Sequence, residues 1–397
     1  MKNTKNNMAR RQAEEKIILA IDTSCDETAV AVSFRDRLQT NVLSSSMDFH
    51  NDWGGVVPIY ARRNHIERFD AVLRRALTLA RITLDQVDAF AVTYGPGLAV
   101  ALEVGIAKAR ELATKYDRPL IAVNHMAGHI YANMARNRAG RLLGIDEKSE
   151  QQLFPLIALL ISGGHTELVY MRSHMDFEII GETLDDSVGE AFDKVARMLQ
   201  WGYPGGPIIE ELAKEGDPNR FKFSVPLHDR SDLAFSFSGL KTGVLRKVQE
   251  LGTEAASMYE QNRDKENTVD SKDMLYAPSF SKKPTYTLAR QDALDIAAAF
   301  QSTAAEHLRQ KLARAIELYP VKNVLLGGGV VNNAHIRKVL RADLRTRGVK
   351  LFYPRDKKLL TDNAGMIAIA GYYMAESGNY VKIETLDREP KLRLGQN

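Results

Sequence analysis

Apolar runs alternate with short polar or glycine-rich turns along this chain, and the arrangement comes twice. Ile17 to Ile21 is apolar, Asp22-Thr23-Ser24-Cys25-Asp26-Glu27-Thr28 is a polar turn, and Ala29 to Phe34 is apolar again. About 140 residues later, Leu156 to Ile161 meets the turn Ser162-Gly163-Gly164-His165-Thr166 and resumes as Leu168-Val169-Tyr170. Each half predicts a buried strand, a tight turn and a paired strand. A second echo follows the first. Ala89 to Val92 runs into Tyr94-Gly95-Pro96-Gly97 and a helical pattern, and Asn323 to Leu326 runs into Gly327-Gly328-Gly329 and another. Strand, glycine turn and helix N-terminus together make a ready seat for anions. Any one glycine pair simply turns the chain. Four such loops in a repeated order predict a duplicated α/β fold with a cleft between two facing halves.

The rest of the pattern divides the chain. Residues 1–16 are polar and basic, lack the apolar centre of a secretory signal, and are expected as a flexible N-terminal segment, either a tag or the stub of an organellar leader. Residues 17–135 form the expected first lobe, with a C-terminal helix over 366–397 packing back on it. Residues 136–152 are an expected insertion or linker, and 153–365 the second lobe with an insertion at 252–283. Both insertions are polar enough to predict solvent loops or short helices.

Composition narrows the class. A chain of 397 residues suits roughly two domains. The hydrophobic share of 44% and charged share of 26% are those of an ordinary globular protein. No uninterrupted apolar stretch is long enough to predict a membrane span. The single cysteine, Cys25, excludes an internal disulfide framework and fits a reducing compartment. A net charge of +4 and a pI near 8.9 permit a nucleic-acid partner without requiring one.

Chemistry concentrates in a few places. In His125-Met126-Ala127-Gly128-His129, two imidazoles four apart share one helix face, the separation at which both can bind one divalent ion. Met126 stands where a metalloprotease carries its basic Glu, so the metal half of that signature is present without the peptide-cleaving half. The alternative is a chance pair of helix histidines. Asp185 to Ala196 reads as a helix with Val188, Phe192 and Val195 as its apolar stripe, leaving Asp186, Glu190, Asp193 and Lys194 on polar faces. Tyr203-Pro204-Gly205-Gly206-Pro207 predicts a rigid loop whose backbone can approach a ligand, with Glu210 on the helix it starts. Thr361 or Asp362 reads as the N-cap of an apolar helix over Met366 to Met374; a carboxylate there would also complete a metal site with two histidines from elsewhere. Arg337 to Lys358 holds nine cations against Asp343 and Asp356, either a phosphate-neutralising surface or one exposed helix and strand edge.

These motifs, in this order from about Ile17 to about Met374, resemble the Kae1/TsaD/Qri7 family of tRNA N6-adenosine threonylcarbamoyltransferases, once called O-sialoglycoprotein endopeptidases. To the segments above the match adds Gly189-Glu190-Ala191-Phe192-Asp193-Lys194, Gly327-Gly328-Gly329-Val330 and Thr361-Asp362-Asn363-Ala364-Gly365-Met366. The resemblance implies the duplicated actin/Hsp70/sugar-kinase (ASKHA) two-lobed fold with an interlobe cleft. It implies that threonylcarbamoyl-AMP, supplied by a separate synthase, binds there and gives its threonylcarbamoyl group to N6 of the adenine next to the anticodon in tRNAs reading codons that begin with A.

By the same resemblance His125, His129 and Asp362 would ligate one divalent ion per subunit, with Zn, Fe and Mg not distinguished. Leu160, Ile161, Ser162, Gly163 and Gly164 would cradle the adenylate. Asp193 would contact the ribose, with Gly206 and Glu210 beside it, and Asn333 would lie near the nucleotide. Some members place a tyrosine ligand just before the Ser-Gly-Gly turn; Leu160 stands there and cannot ligate, leaving that position to water or substrate. The base is not obvious, and Glu27 and Asp26 are the candidates. The expected partners are the tRNA anticodon loop and a second copy of the chain, without a membrane. The insertions and basic pI point to the mitochondrial Qri7-type branch, with a bacterial cytoplasm as the alternative. A metal-dependent glycoprotein endopeptidase, a small-molecule kinase of the same architecture and a non-catalytic tRNA scaffold are the competing functions.

Overall fold

The computed structural model describes residues 16–45, 58–262 and 288–395. The expectations for residues 1–15 and 263–283 lie outside the described residues.

The paired apolar runs become sheet strands because each is buried on both faces, as sheets covered on both sides require. The first sheet comprises β1 (Ile17–Asp22), β2 (Glu27–Phe34), β3 (Arg37–Ser45), β4 (Ala89–Gly95) and β5 (Leu120–Asn124), in the order β3-β2-β1-β4-β5. The second comprises β6 (Leu156–Ile161), β7 (Thr166–Met171), β8 (Phe177–Glu182), β9 (Asn323–Gly327) and β10 (Lys350–Phe352), in the order β10-β9-β6-β7-β8. In each sheet the first three strands run as an antiparallel meander and the last two pair in parallel. The two halves therefore share one topology, the duplicated two-lobed α/β arrangement expected. β1 pairs with β2 from Ile17↔Phe34 to Asp22↔Ala29, and β6 with β7 from Leu156↔Met171 to Ile161↔Thr166, so both polar turns emerge at matching ends of their sheets.

Helices complete three apolar layers. α1 (Pro58–Ala80) and α2 (Ala99–Tyr116) cover the outer face of the first sheet. α4 (Val188–Met198), α5 (Gly205–Leu212), α6 (Ser238–Asn262), α7 (Arg290–Leu318) and α8 (Ala334–Thr346) accompany the second sheet and supply most of its outer core. Between the sheets lie α3 (His125–Tyr131) and α9 (Ala364–Glu376), in a core shared with Ile18 and Ala20 of one sheet and Ala158 and Leu160 of the other. The histidine pair therefore sits on a helix wedged between the lobes. None of the helices among the described residues is long and apolar enough to cross a membrane.

Several boundaries differ from the sequence expectation. α9 packs on the first sheet but does not continue to 397; it stops at Glu376, where Gly378 takes a positive φ of 72° that ends helices readily. The chain then crosses towards the second lobe. Val381 bridges Leu120, Glu389 N–H donates to Tyr94 O at 2.7 Å, and Arg393 pairs with Glu182 at 2.7 Å. Segment 136–152 holds one of the short helices expected, Glu147–Glu150, but is packed down and not left in solvent: Leu142 and Ile145 are buried, and the Arg136 guanidinium ties Asp36, Gly140 O and Glu150 together. The start of the second expected insertion, 252–262, is the last part of α6. Asp185 and Asp186 precede α4 instead of belonging to it, because Ser187 and Glu190 form a capping box that starts the helix at Val188.

One cross-strand pair carries a pH dependence. Glu167 of β7 faces Glu182 of β8. Burial first, and then the like charge of Glu182, push the Glu167 carboxyl up to about 7 against the opposing pull of Arg393. Because the folded value exceeds the unfolded one, this group's stabilising contribution is whole below about pH 4.5 and is lost as pH rises through about 7. Glu167→Gln is expected to raise the thermal midpoint relative to the parent chain at pH 8 and to change it little at pH 4.5. Equal shifts at the two pH values in paired melts would remove this assignment.

Candidate active site

All four loops of the repeated pattern meet at one cavity of about 460 Å³ between the lobes. Ser24 to Glu27 and Ser162 to His165 come from the two hairpin turns; Pro96 to Leu98 and Gly329-Val330 come from the two glycine turns. Asp193, Tyr203 and Gly206 close one side, and His125 with Asp362 lies at the base of another. A Cβ at Gly163, Gly164, Gly206 or Gly329 would meet no neighbouring atom, so backbone at these four positions faces open space. Gly328 is required for another reason: its φ of 95° favours glycine, and a side chain there would collide with Ile161 O.

The histidines are held by local chemistry. Asn124 caps α3, its Oδ1 accepting from the N–H groups of Met126 (2.8 Å) and Ala127 (3.3 Å). That starts the helix at His125 and puts His129 one turn on, with the rings 4.8 Å apart edge to face. Asp362 arrives from the loop before α9. Its Oδ1 lies 3.2 Å from His125 Nε2 and 3.3 Å from His129 Nε2. The cap expected of Thr361 or Asp362 is instead made by Asn363, whose Oδ1 accepts from Met366 N–H at 3.0 Å, leaving the Asp362 carboxylate for the imidazoles.

One potential ligand atom from each of the three residues falls within 4.8 Å of the other two. His129 is fully buried, and among the described residues its Nδ1, like His125 Nδ1, has no hydrogen-bond partner. Buried polar atoms without partners are uncommon, and two imidazoles with one carboxylate form a donor set suited to a divalent cation. The residues fit the metal that the resemblance implies. The electrostatics show the same focus. Burial opposes charge on His125, but Asp362 and then Asp22 outweigh it and lift this imidazole to about 9. Burial lowers His129, and the pull of both histidines holds Asp362 well below the usual carboxylate range despite its own burial.

The other expected residues divide. Ser162, Gly163, Gly164, Asp193, Gly206, Asp26 and Glu27 line the cavity. Asp193 also anchors the proline–glycine loop, accepting from Gly205 N–H at 2.6 Å, and burial raises its pKa. Burial, then Asp26 and Asp362, raise the Glu27 carboxyl well above the usual range. Leu160 and Ile161 do not line the cavity; both are fully buried in β6. Asn333 and Glu210 do not line it either. Asn333 caps α8, its Oδ1 accepting from Ile336 N–H at 3.0 Å and its amide donating to Gln301 at 2.7 Å. Glu210 accepts from Ala334 N–H at 2.7 Å. Both side chains bond to the start of α8.

His165 was not singled out from sequence, yet it lines the cavity near the metal ligands, and burial with the two histidines drives it down to about 4, so it is neutral. Its signal was its place inside the Ser162–Thr166 turn. The basic run is less free than its composition suggests. Arg337 donates to Val331 O and Asn332 O, Arg341 to Tyr353, and Arg347 and Lys350 are ion-paired with Asp343 and Asp146.

The family of tRNA N6-adenosine threonylcarbamoyltransferases, TsaD, matches residues 37–369. A protein of that description from Symbiobacterium thermophilum is 42% identical over 385 residues, covering 96% of this chain and 98% of the other. One from Clostridium perfringens is 40% identical, covering 96% and 99%, and one from Thermosipho africanus is 39% identical, covering 95% and 100%. Among solved structures, HypF of T. kodakarensis has a TM-score of 0.56 at 16% identity, covering 92% of this chain and 48% of that one, a likeness of fold alone. With nearly the whole chain aligned to these relatives, the chain belongs to the TsaD family of tRNA N6-adenosine threonylcarbamoyltransferases.

Proposed function

We propose that this chain moves a threonylcarbamoyl group from threonylcarbamoyl-AMP to N6 of the adenine next to the anticodon in tRNAs that read codons beginning with A. The observation that carries the reading is the meeting of four loops and a His/His/Asp set around one interlobe cavity. The donor is a mixed anhydride. A bond forms between N6 and its carbonyl carbon, the bond from that carbon to the phosphate oxygen breaks, AMP leaves, and one N6 proton passes to a base. His125, His129 and Asp362 would hold a divalent ion, which supplies Lewis-acid and templating chemistry towards oxygen atoms when bound. The open backbone at Gly163, Gly164 and Gly329 offers donors to the departing phosphate, and Asp193 an acceptor to a ribose. An adenine amine is a weak nucleophile, so these loops act chiefly by orienting the partners. Glu27 or Asp26, both lining the cavity, takes the proton.

The endopeptidase alternative lacks its base, since Met126 is buried in the interlobe core. The test is reconstitution with unmodified tRNA, threonine, bicarbonate, ATP and a separate synthase, with and without this chain, read by nucleoside mass spectrometry. The threonylcarbamoylated nucleoside is expected only when the chain is present; its equal formation without the chain overturns the reading. Two finer assignments extend it. A basic pI supports the mitochondrial branch, whereas the bacterial relatives support a bacterial cytoplasm; import of the chain into isolated mitochondria separates them. A homodimer follows from the resemblance and is checked by sedimentation.

A further inference from the structure

A second cavity, of about 310 Å³, lies on the other side of Thr361 from the central one; that residue lines both. Asn41 to Leu43 of β3 form one wall, and Arg75 of α1 and Lys358 line it as well. Both cations are exposed, and neither side chain has an ion-pair or hydrogen-bond partner among the described residues. That separates them from Arg337, Arg341, Arg347 and Lys350, whose donors are engaged within the protein, and their place at the seam between the lobes separates them from the exposed Lys338 and Arg345 of α8. Two cations from opposite lobes, over a recess that Asn41 and Thr361 share with Val42, Leu43 and Leu79, attract an anion. The recess is also tied to the metal-ligand loop. Asn41 Nδ2 donates to Asn363 Oδ1 at 3.0 Å, and Asn41 Oδ1 accepts from Gly365 N–H at 3.1 Å, on either side of the turn that follows Asp362.

An anion seated there would be adjacent to whatever enters the central cavity. We infer that the Arg75–Lys358 recess seats a backbone phosphate of the RNA strand that flanks the acceptor nucleoside, and so sets the register with which that base enters the cleft. The inference rests on the reading that an RNA nucleoside is the acceptor. It moves the docking surface from the α8 cations to the seam between the lobes, beside Thr361. The contact is electrostatic and independent of base identity, so it positions without specifying sequence.

The experiment measures binding of an unmodified anticodon stem-loop RNA across a salt series, for the parent chain, for Arg75→Ala/Lys358→Ala, and for Lys338→Ala/Arg345→Ala on α8. Loss of the one single-strand phosphate contact is expected to reduce the slope of log K against log salt by about 0.7 in the first variant and to leave the second near the parent. The first variant should also raise KM for RNA, with kcat and KM for threonylcarbamoyl-AMP unchanged. An unchanged slope in the Arg75/Lys358 variant, or a slope lost only in the α8 variant, overturns the inference. Titration with inorganic phosphate forms the second arm: tight binding of phosphate that the Arg75/Lys358 variant loses, with its RNA slope intact, assigns the recess to a free anion and also overturns it. A parent chain that binds no RNA defeats the functional reading itself, a result distinct from all of these.

Discussion

His125→Ala/His129→Ala is expected to abolish tRNA modification and to strip the bound divalent ion while the chain remains folded. Two of the three ligands disappear, and a lone Asp362 carboxylate cannot hold an ion against water. Both imidazoles lie in the interlobe core, His129 fully buried, so some stability is lost with them; truncating a buried ring leaves a cavity that costs about 2–5 kcal/mol. Asp362→Asn separates the two effects. It keeps the shape of the side chain and removes the charge to which both imidazoles are paired. The expected result is loss of metal and activity with a smaller fall in thermal midpoint than the double-histidine variant shows. Metal per chain by elemental analysis, circular dichroism and the modification rate give the three readouts. A double-histidine variant that modifies tRNA at the normal rate removes the metal from the reaction.

The parts of this site legible in sequence were those fixed by short-range geometry. The i, i+4 spacing of His125 and His129 needs only a helix, and the paired apolar runs around Asp22–Thr28 and Ser162–Thr166 need only a sheet. The duplication was legible because both halves keep the same succession of strand, turn and helix. What stayed hidden depends on tertiary placement. Capping shows this best. Thr361, Asp362 and Asn363 are all competent caps in sequence, and the neighbour that decides is Asn41, more than 300 positions away on β3. Asn333 and Glu210 are consumed at the start of α8 for the same reason: no local pattern reveals that Gln301 and Ala334 N–H await them. Arg341 and Arg347 read as part of one free surface because composition cannot show Tyr353 or Glu317 reaching them. The C-terminal crossing from Val381 to Arg393 carries no periodicity; apart from buried Leu386 and the Arg393–Glu182 pair, the contacts described for it run through backbone groups, which any sequence can supply.

Asn363→Ala is expected to weaken divalent-ion binding by about 10- to 100-fold, the scale found when the groups that orient metal ligands are removed, although Asn363 itself touches no ion. The side chain is fully buried and makes three bonds: it accepts from Met366 N–H and from Asn41 Nδ2, and donates to Thr361 O at 2.7 Å. Those bonds fix the chain on both sides of Asp362, to α9 behind it and to β3 beside it. Without them the α9 cap is lost, at about 1 kcal/mol, and the carboxylate is free to swing from the imidazoles. A purely structural role predicts lower stability and fewer active molecules, neither corrected by added metal. A positioning role predicts that saturating divalent ion restores kcat in the folded fraction, because the ligands are intact and only their preorganisation is reduced. Activity titrated against metal for the parent and Asn363→Ala distinguishes the two: a right-shifted curve reaching the parent plateau supports positioning, and a lowered plateau with an unmoved midpoint rejects it.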